Sequence, residues 1–287
     1  FINGGGSFTL PNYATAATQS LVSLTFTNDG GTGNPLFAFG TPTAASTIIL
    51  TSATPITASN DSYSTTPLLT GAAAPTLSVL QFSNANPVIT VNQGLAEVGL
   101  NISATISQHA SMGTLPKAGA GILALSATES TFTTGVNLSA GGLMLGASST
   151  GTPVTKGPLG TGTLTIGNGT SLLSDGTARS VANAVAVNGD FVFGGVVAGN
   201  NVTLAGAINL GAAGRTITVS SPAVTATLSG ALTSTATGTA LTKSGAGILV
   251  LSSTASSLGG AGVTVANGIL KLGATGAIPV SSAITVN

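Results

Sequence analysis

Six acidic side chains, six basic ones, a single histidine and two tyrosines supply nearly all the titratable chemistry in this 287-residue chain, which has no cysteine. The carboxylates Asp29, Asp61, Glu97, Glu129, Asp175 and Asp190 stand far apart, and no two have the i, i+2 spacing that puts both on one face of a strand. Sugar cleavage needs two carboxylates flanking the scissile bond, or a carboxylate with Lys or Arg beside it. Asp175 and Asp190 are the pair that stacking of successive strands could bring together for that purpose. A serine nucleophile needs a base. Here the only imidazole is His109, with Glu97 and Glu129 as its nearest acids in sequence, so it reads as a polar loop residue. Zinc ligand sets, G-G-x-G-x-D calcium loops and a G-K-[ST] phosphate loop are all missing from the sequence. The chain reads as a non-enzyme, with no cofactor and no metal expected. The T-x-T pairs Thr163/Thr165, Thr216/Thr218 and Thr225/Thr227 read as ladder residues favoured by β-propensity rather than as an ice-binding array.

What would position any such groups is a repeat. Leu115 to Leu145 reads LPKAGAGILALSATESTFTTGVNLSAGGLML, and Leu241 to Leu272 reads LTKSGAGILVLSSTASSLGGAGVTVANGILKL. Leu115, Lys117, Gly119, Gly121 and Leu125 recur as Leu241, Lys243, Gly245, Gly247 and Leu251, an offset of 126 residues. Self-similarity of this kind marks chains built by stacking one small unit. Within the second copy, Ser244-Gly245-Ala246-Gly247 tolerates positive φ and reads as the corner before a strand. In GILVLSS, Ile248, Val250 and Ser252 are expected on one side and Leu249, Leu251 and Ser253 on the other. The unbroken apolar run predicts a strand covered on both faces. Gly259, Gly260 and Gly262 read as the next corner, and Asn267-Gly268 as a tight turn between VTV (Val263 to Val265) and ILKL (Ile269 to Leu272).

The two copies resemble the autotransporter-associated β-strand repeat, whose pattern is roughly L-T-K-x-G-x-G-x-L-x-L-S followed by a Gly-rich G-x-x-V-x-x-G-x-L. The resemblance covers about thirty residues in each copy, with looser echoes at Leu77 to Gly94 and Gly273 to Asn287. It implies a β-solenoid belonging to a large secreted bacterial surface protein, and it carries no catalytic or binding residue with it.

Composition agrees with that architecture. Hydrophobic residues make up 43% of the chain, but charged residues only 4%, against roughly a quarter in ordinary soluble domains. Ser, Thr, Asn and Gly must therefore form most of the surface. Helix is disfavoured, because Gly or Pro interrupts nearly every window. Zero net charge and no basic cluster speak against nucleic-acid binding. The same near-neutral surface gives copies little electrostatic reason to stay apart. No apolar run is long enough for a transmembrane helix. The start at Phe1, without Met, reads as a processed segment or part of a longer polypeptide.

Along the chain, FINGGGSFTL (Phe1 to Leu10) holds two short strands. Ser20 to Asn28 reads as one half-buried strand with Val22, Leu24 and Phe26 inward. Phe37 and Phe39 share a face, and Thr47 to Leu50 forms another strand. Residues 54–74 lack a period and read as a lateral excursion, with Tyr63 an exposed loop aromatic. Strand rhythm returns from Leu77. The expected fold class is all-β: a parallel β-solenoid, or β-helix, with Gly and Asn corners. The alternative is a β-sandwich or meander. Coils of about 20 residues would give about fourteen turns. Two regions are expected, 1–110 and 111–287, the second carrying both repeat copies. The functional expectation is an extracellular, cell-surface structural protein that self-associates into fibres or a layer. Phe1, Ile2, Phe8, Ile284 and Val286, on open end strands, are the assembly residues, since an uncapped strand recruits another chain. The alternative is an adhesin or glycan-binding passenger domain using the loop around Asn60 to Tyr63 against cell-surface glycans.

Overall fold

Parallel strands two to six residues long, turning at glycine corners, build the whole of the computed structural model, which describes residues 1–11, 14–30, 32–40, 44–71, 78–195 and 199–287. No helix occurs among these residues. Contacts divide the chain into two compact units, Phe1–Leu143 with Thr155–Gly162, and Met144–Val154 with Thr163–Asn287.

In the first unit each turn contributes a strand to up to three sheets. Ile2–Asn3, Leu24–Asn28, Ile56–Asn60, Ile89–Val91, Leu115–Ala118 and Val136–Leu138 stack in one sheet. Ser7–Thr9, Leu36–Ala38, Leu68–Thr70, Leu100–Ile102 and Ile122–Leu125 stack in a second, and Thr18–Leu21, Thr47–Leu50, Val79–Phe82 and Thr105–Ile106 in a third. The second unit repeats the plan. Leu164–Ile166, Val185–Val187, Ile208–Asn209 and Leu232–Thr233 share one sheet. Thr170–Ser174, Phe191–Phe193, Arg215–Val219, Thr239–Ser244, Gly262–Val265 and Ile284–Val286 share the next. Arg179–Val181, Val202–Leu204, Thr225–Leu228, Ile248–Leu251 and Ile269–Leu272 share the third.

Pairing is parallel and in register, so like residues stack into columns. Leu24, Ile56 and Ile89 form one inward column, and Phe191 and Ile217 begin another. All five are buried. Inward residues alternate with half-exposed ones along most strands, which is the period of two that a one-sided core requires. The protein is a parallel β-solenoid of about 11 turns. The turns are longer than the expected 20 residues: Ala58 stacks 32 residues after Phe26, and Ile89 stacks 33 after Ile56. Leu138 stacks only 21 after Lys117. Extra residues sit in loops between strands, which stacking tolerates because only the strands must match the neighbouring turn.

Three local expectations are corrected. The run Ser20 to Asn28 is two strands of different sheets, broken at a corner where Val22 is 71% exposed. Residues 54–74 are no excursion throughout. Ile56–Asn60 and Leu68–Thr70 are full members of their sheets, with Ile56, Ala58 and Leu69 buried. Only the stretch between them is a loop, and Ala72–Leu77 lie outside the described residues. In GILVLSS the faces are unequal: Leu249 and Leu251 are buried, whereas Ile248 and Val250 remain half-exposed. A solenoid has one interior, so the outward half of an apolar run stays at the surface.

Candidate functional site

Each repeat copy contains a lysine on a strand whose neighbours at i−2 are buried leucines. Leu115 and Lys117 share the inward face of Leu115–Ala118, and Leu241 and Lys243 share that of Thr239–Ser244. Both lysines are almost completely buried, at 1% and 0% exposure. Their stems fill places in the aliphatic columns. Lys117 lies in register between Ile89 and Leu138, and Lys243 between Ile217 and Val265. The four methylenes thus contribute the packing of an aliphatic side chain, while the ammonium reaches the corner.

At the corner the ammonium is held by main-chain carbonyls. Lys117 Nζ donates to Gly119 O and to Ala140 O of the following turn, both at 2.9 Å. Lys243 Nζ donates to Ser244 O and Gly245 O at 2.7 Å and to Asn267 O of the following turn at 3.0 Å. Glycines with positive φ aim these carbonyls inward: Gly119 and Gly141 in the first copy, Gly245 and Gly268 in the second. The lysine therefore ties one turn of the solenoid to the next, with no acid partner among the described residues. Neither lysine is among the site residues expected from sequence. The signal for them lies in the alternation that puts Leu241 and Lys243 on one face.

Burial lowers both amines, that of Lys117 from 10.5 to about 8. The acceptor sets differ in a way that matters on titration. A neutral amine keeps two N–H donors, enough for the two carbonyls around Lys117 but one short of the three around Lys243. Between pH 8 and about 10.5 the unfolded chain still holds a proton on Lys117 that the folded chain has released. Stability therefore rises with pH across that window and is flat with respect to this group below it. Each pH unit within the window is worth about 1.4 kcal/mol, so the full rise is roughly 3 kcal/mol. Side-chain NMR should show Lys117 titrating near pH 8; a stability profile that falls through this window would contradict the assignment.

Two buried asparagines play a related part. Asn28 and Asn60 stack in register, and their amides donate to Thr65 Oγ1 at 2.5 Å and Thr65 O at 2.6 Å. They pin the loop that presents Tyr63, which is 80% exposed. Asn60 thus belongs to the interior rather than to an exposed contact.

The carboxylates are dispersed. Asp175 pairs with Arg179 (2.5 and 2.8 Å), and the guanidinium holds its carboxyl below the usual range. Asp190 Oδ1 accepts from Thr216 N–H at 2.8 Å. Asp175 follows the strand Thr170–Ser174, whereas Asp190 precedes its register partner Phe191–Phe193. The two therefore sit at opposite ends of paired strands, on the order of 20 Å apart along them. Glu129 pairs with Lys156 at 2.8 Å. His109 Nδ1 accepts from Ser111 N–H in a loop. No group of three or more His, Asp or Glu side chains that could hold a metal occurs among the described residues.

Four of the five expected assembly residues, Ile2, Phe8, Ile284 and Val286, fall on the outer strands of their sheets, and Phe1 directly precedes the first of these. A cleft of about 360 Å³ is walled by Phe1, Ile2, Phe8, Leu21, Leu24 and Phe37, with Phe8 and Phe37 stacked at 5.3 Å between ring centres. Phe1 is 83% exposed and Phe8 49%, but Ile2 is buried at 8% and forms the cleft wall rather than an exposed contact. On the last strand of the same chain, Ile284 is 50% and Val286 74% exposed.

Fold and corners together define a parallel β-solenoid whose repeated turns are tied by buried lysines. No protein-family model, curated protein or solved structure matches the chain.

Proposed function

We propose that this chain is an extracellular structural protein of a bacterial cell surface that associates with further copies of itself, forming fibres or a layer. The observation that carries the reading is a set of exposed apolar side chains on strands of an almost uncharged surface: Phe8 on Ser7–Thr9, Ile269 and Leu272 on Ile269–Leu272, and Ile284 and Val286 on Ile284–Val286. A strand edge offers unpaired N–H and C=O groups, and a head-to-tail contact of unlike surfaces propagates instead of closing. A chain with six acidic and six basic residues adds almost no repulsion to oppose it. The resemblance of both repeat copies to the autotransporter-associated β-strand repeat supports a secreted location.

Negative-stain electron microscopy of the purified 287-residue chain at neutral pH tests this directly. Filaments or sheets of uniform width are expected, and Val286→Asp, which puts a charge on the exposed edge, should suppress them. A wild-type chain that stays a monodisperse monomer at high concentration would defeat the proposal, and would shift attention to display of the Tyr63 loop to cell-surface glycans.

A further inference from the structure

Four asparagines precede glycine in this chain: Asn3, Asn168, Asn188 and Asn267. An Asn-Gly peptide can close on itself, because glycine has no side chain to obstruct the approach of its own nitrogen. The Gly nitrogen gives up its proton to hydroxide and attacks the Asn Cγ; the new C–N bond closes a five-membered imide as the side-chain nitrogen leaves as ammonia. Water then adds to one of the two imide carbonyls. Opening on one side yields aspartate; opening on the other yields isoaspartate, with the main chain rerouted through the side chain.

The fold separates the four. Gly4 N–H donates to Thr27 O at 2.9 Å and Gly169 N–H to Asp190 O at 2.8 Å, so neither nitrogen is available without breaking a bond between turns. The Asn3 amide is also engaged, with Asp29 at 3.3 Å, and Asn168 Oδ1 accepts from Asp190 N–H at 3.1 Å. Gly189 is buried against the backbone of Asn168. Asn267 and Gly268 differ from the Asn3 and Asn168 sites in hydrogen bonding, and from the Asn188 site in the exposure of the glycine. Both are exposed, and neither the Asn267 side-chain amide nor the Gly268 N–H makes a hydrogen bond among the described residues. The turn also leads into Ile269–Leu272, the outermost strand of its sheet, so distortion there disturbs a neighbour on one side only.

We propose that Asn267 is the principal site of spontaneous deamidation in this protein, a modification of the turn that the Lys243 staple depends on. The carbonyl of Asn267 is one of the three that accept from Lys243 Nζ. Conversion to isoaspartate lengthens the main chain at that residue by one methylene and displaces this carbonyl. The repeat's first copy has Ala140 at the equivalent place and is immune, so only the second corner ages in this way.

The test is peptide mapping by mass spectrometry, with isoaspartate detection, on the full chain aged at mildly alkaline pH both folded and in concentrated urea. In the folded chain, Asn267 should convert faster than Asn3 and Asn168 by up to about tenfold, the factor set by first breaking one backbone hydrogen bond. In urea the four sites should converge, since all precede glycine. Conversion at Asn267 no faster than at Asn168 or at Asn188 in the folded chain would overturn the proposal. So would an unchanged ranking in urea, because the selectivity would then not come from the fold.

Discussion

Lys243→Met is expected to lower stability by about 3 kcal/mol, from part-buried corner carbonyls left without their donor. Methionine retains most of the stem's volume between Ile217 and Val265, so the aliphatic column stays filled. What is lost is the ammonium. Among the described residues no backbone N–H reaches the carbonyl of Gly245 or of Asn267, so both depend on Lys243. Relief of the lysine's own burial offsets part of the loss, since burial is what lowers its pKa. Three charge-assisted bonds outweigh that relief, each worth about 1.5–3 kcal/mol. Urea unfolding should show the shift, and amide exchange should accelerate in Thr239–Ser244 and Ile269–Leu272, the strands on either side of the corner. Lys271, exposed on the outward face of the next turn, supplies the control, with Lys271→Met staying within about 0.5 kcal/mol of wild type. Equal effects at the two positions would show that the corner carbonyls do not need the ammonium.

Gly268→Ala should cost more, about 4 kcal/mol, because two penalties combine: a left-handed backbone of about 1–2 kcal/mol and an overpacked contact of about 1–3 kcal/mol. Gly268 has φ +71°, and a Cβ there would stand 2.7 Å from Gly247 O, 2.9 Å from Lys243 Nζ and closer still to Gly245 O. None of these can retreat, since two are backbone of the preceding turn and the third is the staple. Gly276 separates the two penalties. It has φ +77°, but a Cβ there would meet nothing within 4 Å. Gly276→Ala should therefore cost only about 1 kcal/mol, and the difference between the two variants measures how tightly successive corners stack. Similar unfolding midpoints for the two alanine variants would mean that the corner opens to admit the methyl group.

Much of this architecture could be read without coordinates, for a physical reason. Short β-branched and leucine-rich runs ending in Gly or Asn-Gly have few ways to bury themselves. Two copies of one pattern point to stacking, and Gly245 and Gly268 mark their corners because only glycine accepts those φ values at no cost. Residues 54–74 are less legible. Pro55, Asn60, Asp61 and Pro67 mask two strands that gain their partners only from neighbouring turns. Ser20 to Asn28 misleads in the opposite sense, since its alternation continues smoothly through Val22, where the chain turns a corner.

The lysines show the division most sharply. Alternation alone puts Lys117 and Lys243 on the buried face, but residue type argues against it, because an isolated ammonium is costly to bury. What reverses that cost is the set of carbonyls, one contributed by a turn 23 or 24 residues later, and this set forms only when that turn stacks in register. Sequence by itself pointed to a β-solenoid, with a sandwich or meander as the alternative, and marked the Gly245 and Gly268 corners and a corner motif used twice. Tertiary structure decided where on the turn each copy lies. Lys117 stands at the corner from the first strand of its turn to the second, and Lys243 at the corner from the second to the third. Turns of unequal length cause the difference, for a spacing of 126 residues need not contain a whole number of turns when each takes as many residues as its loops require.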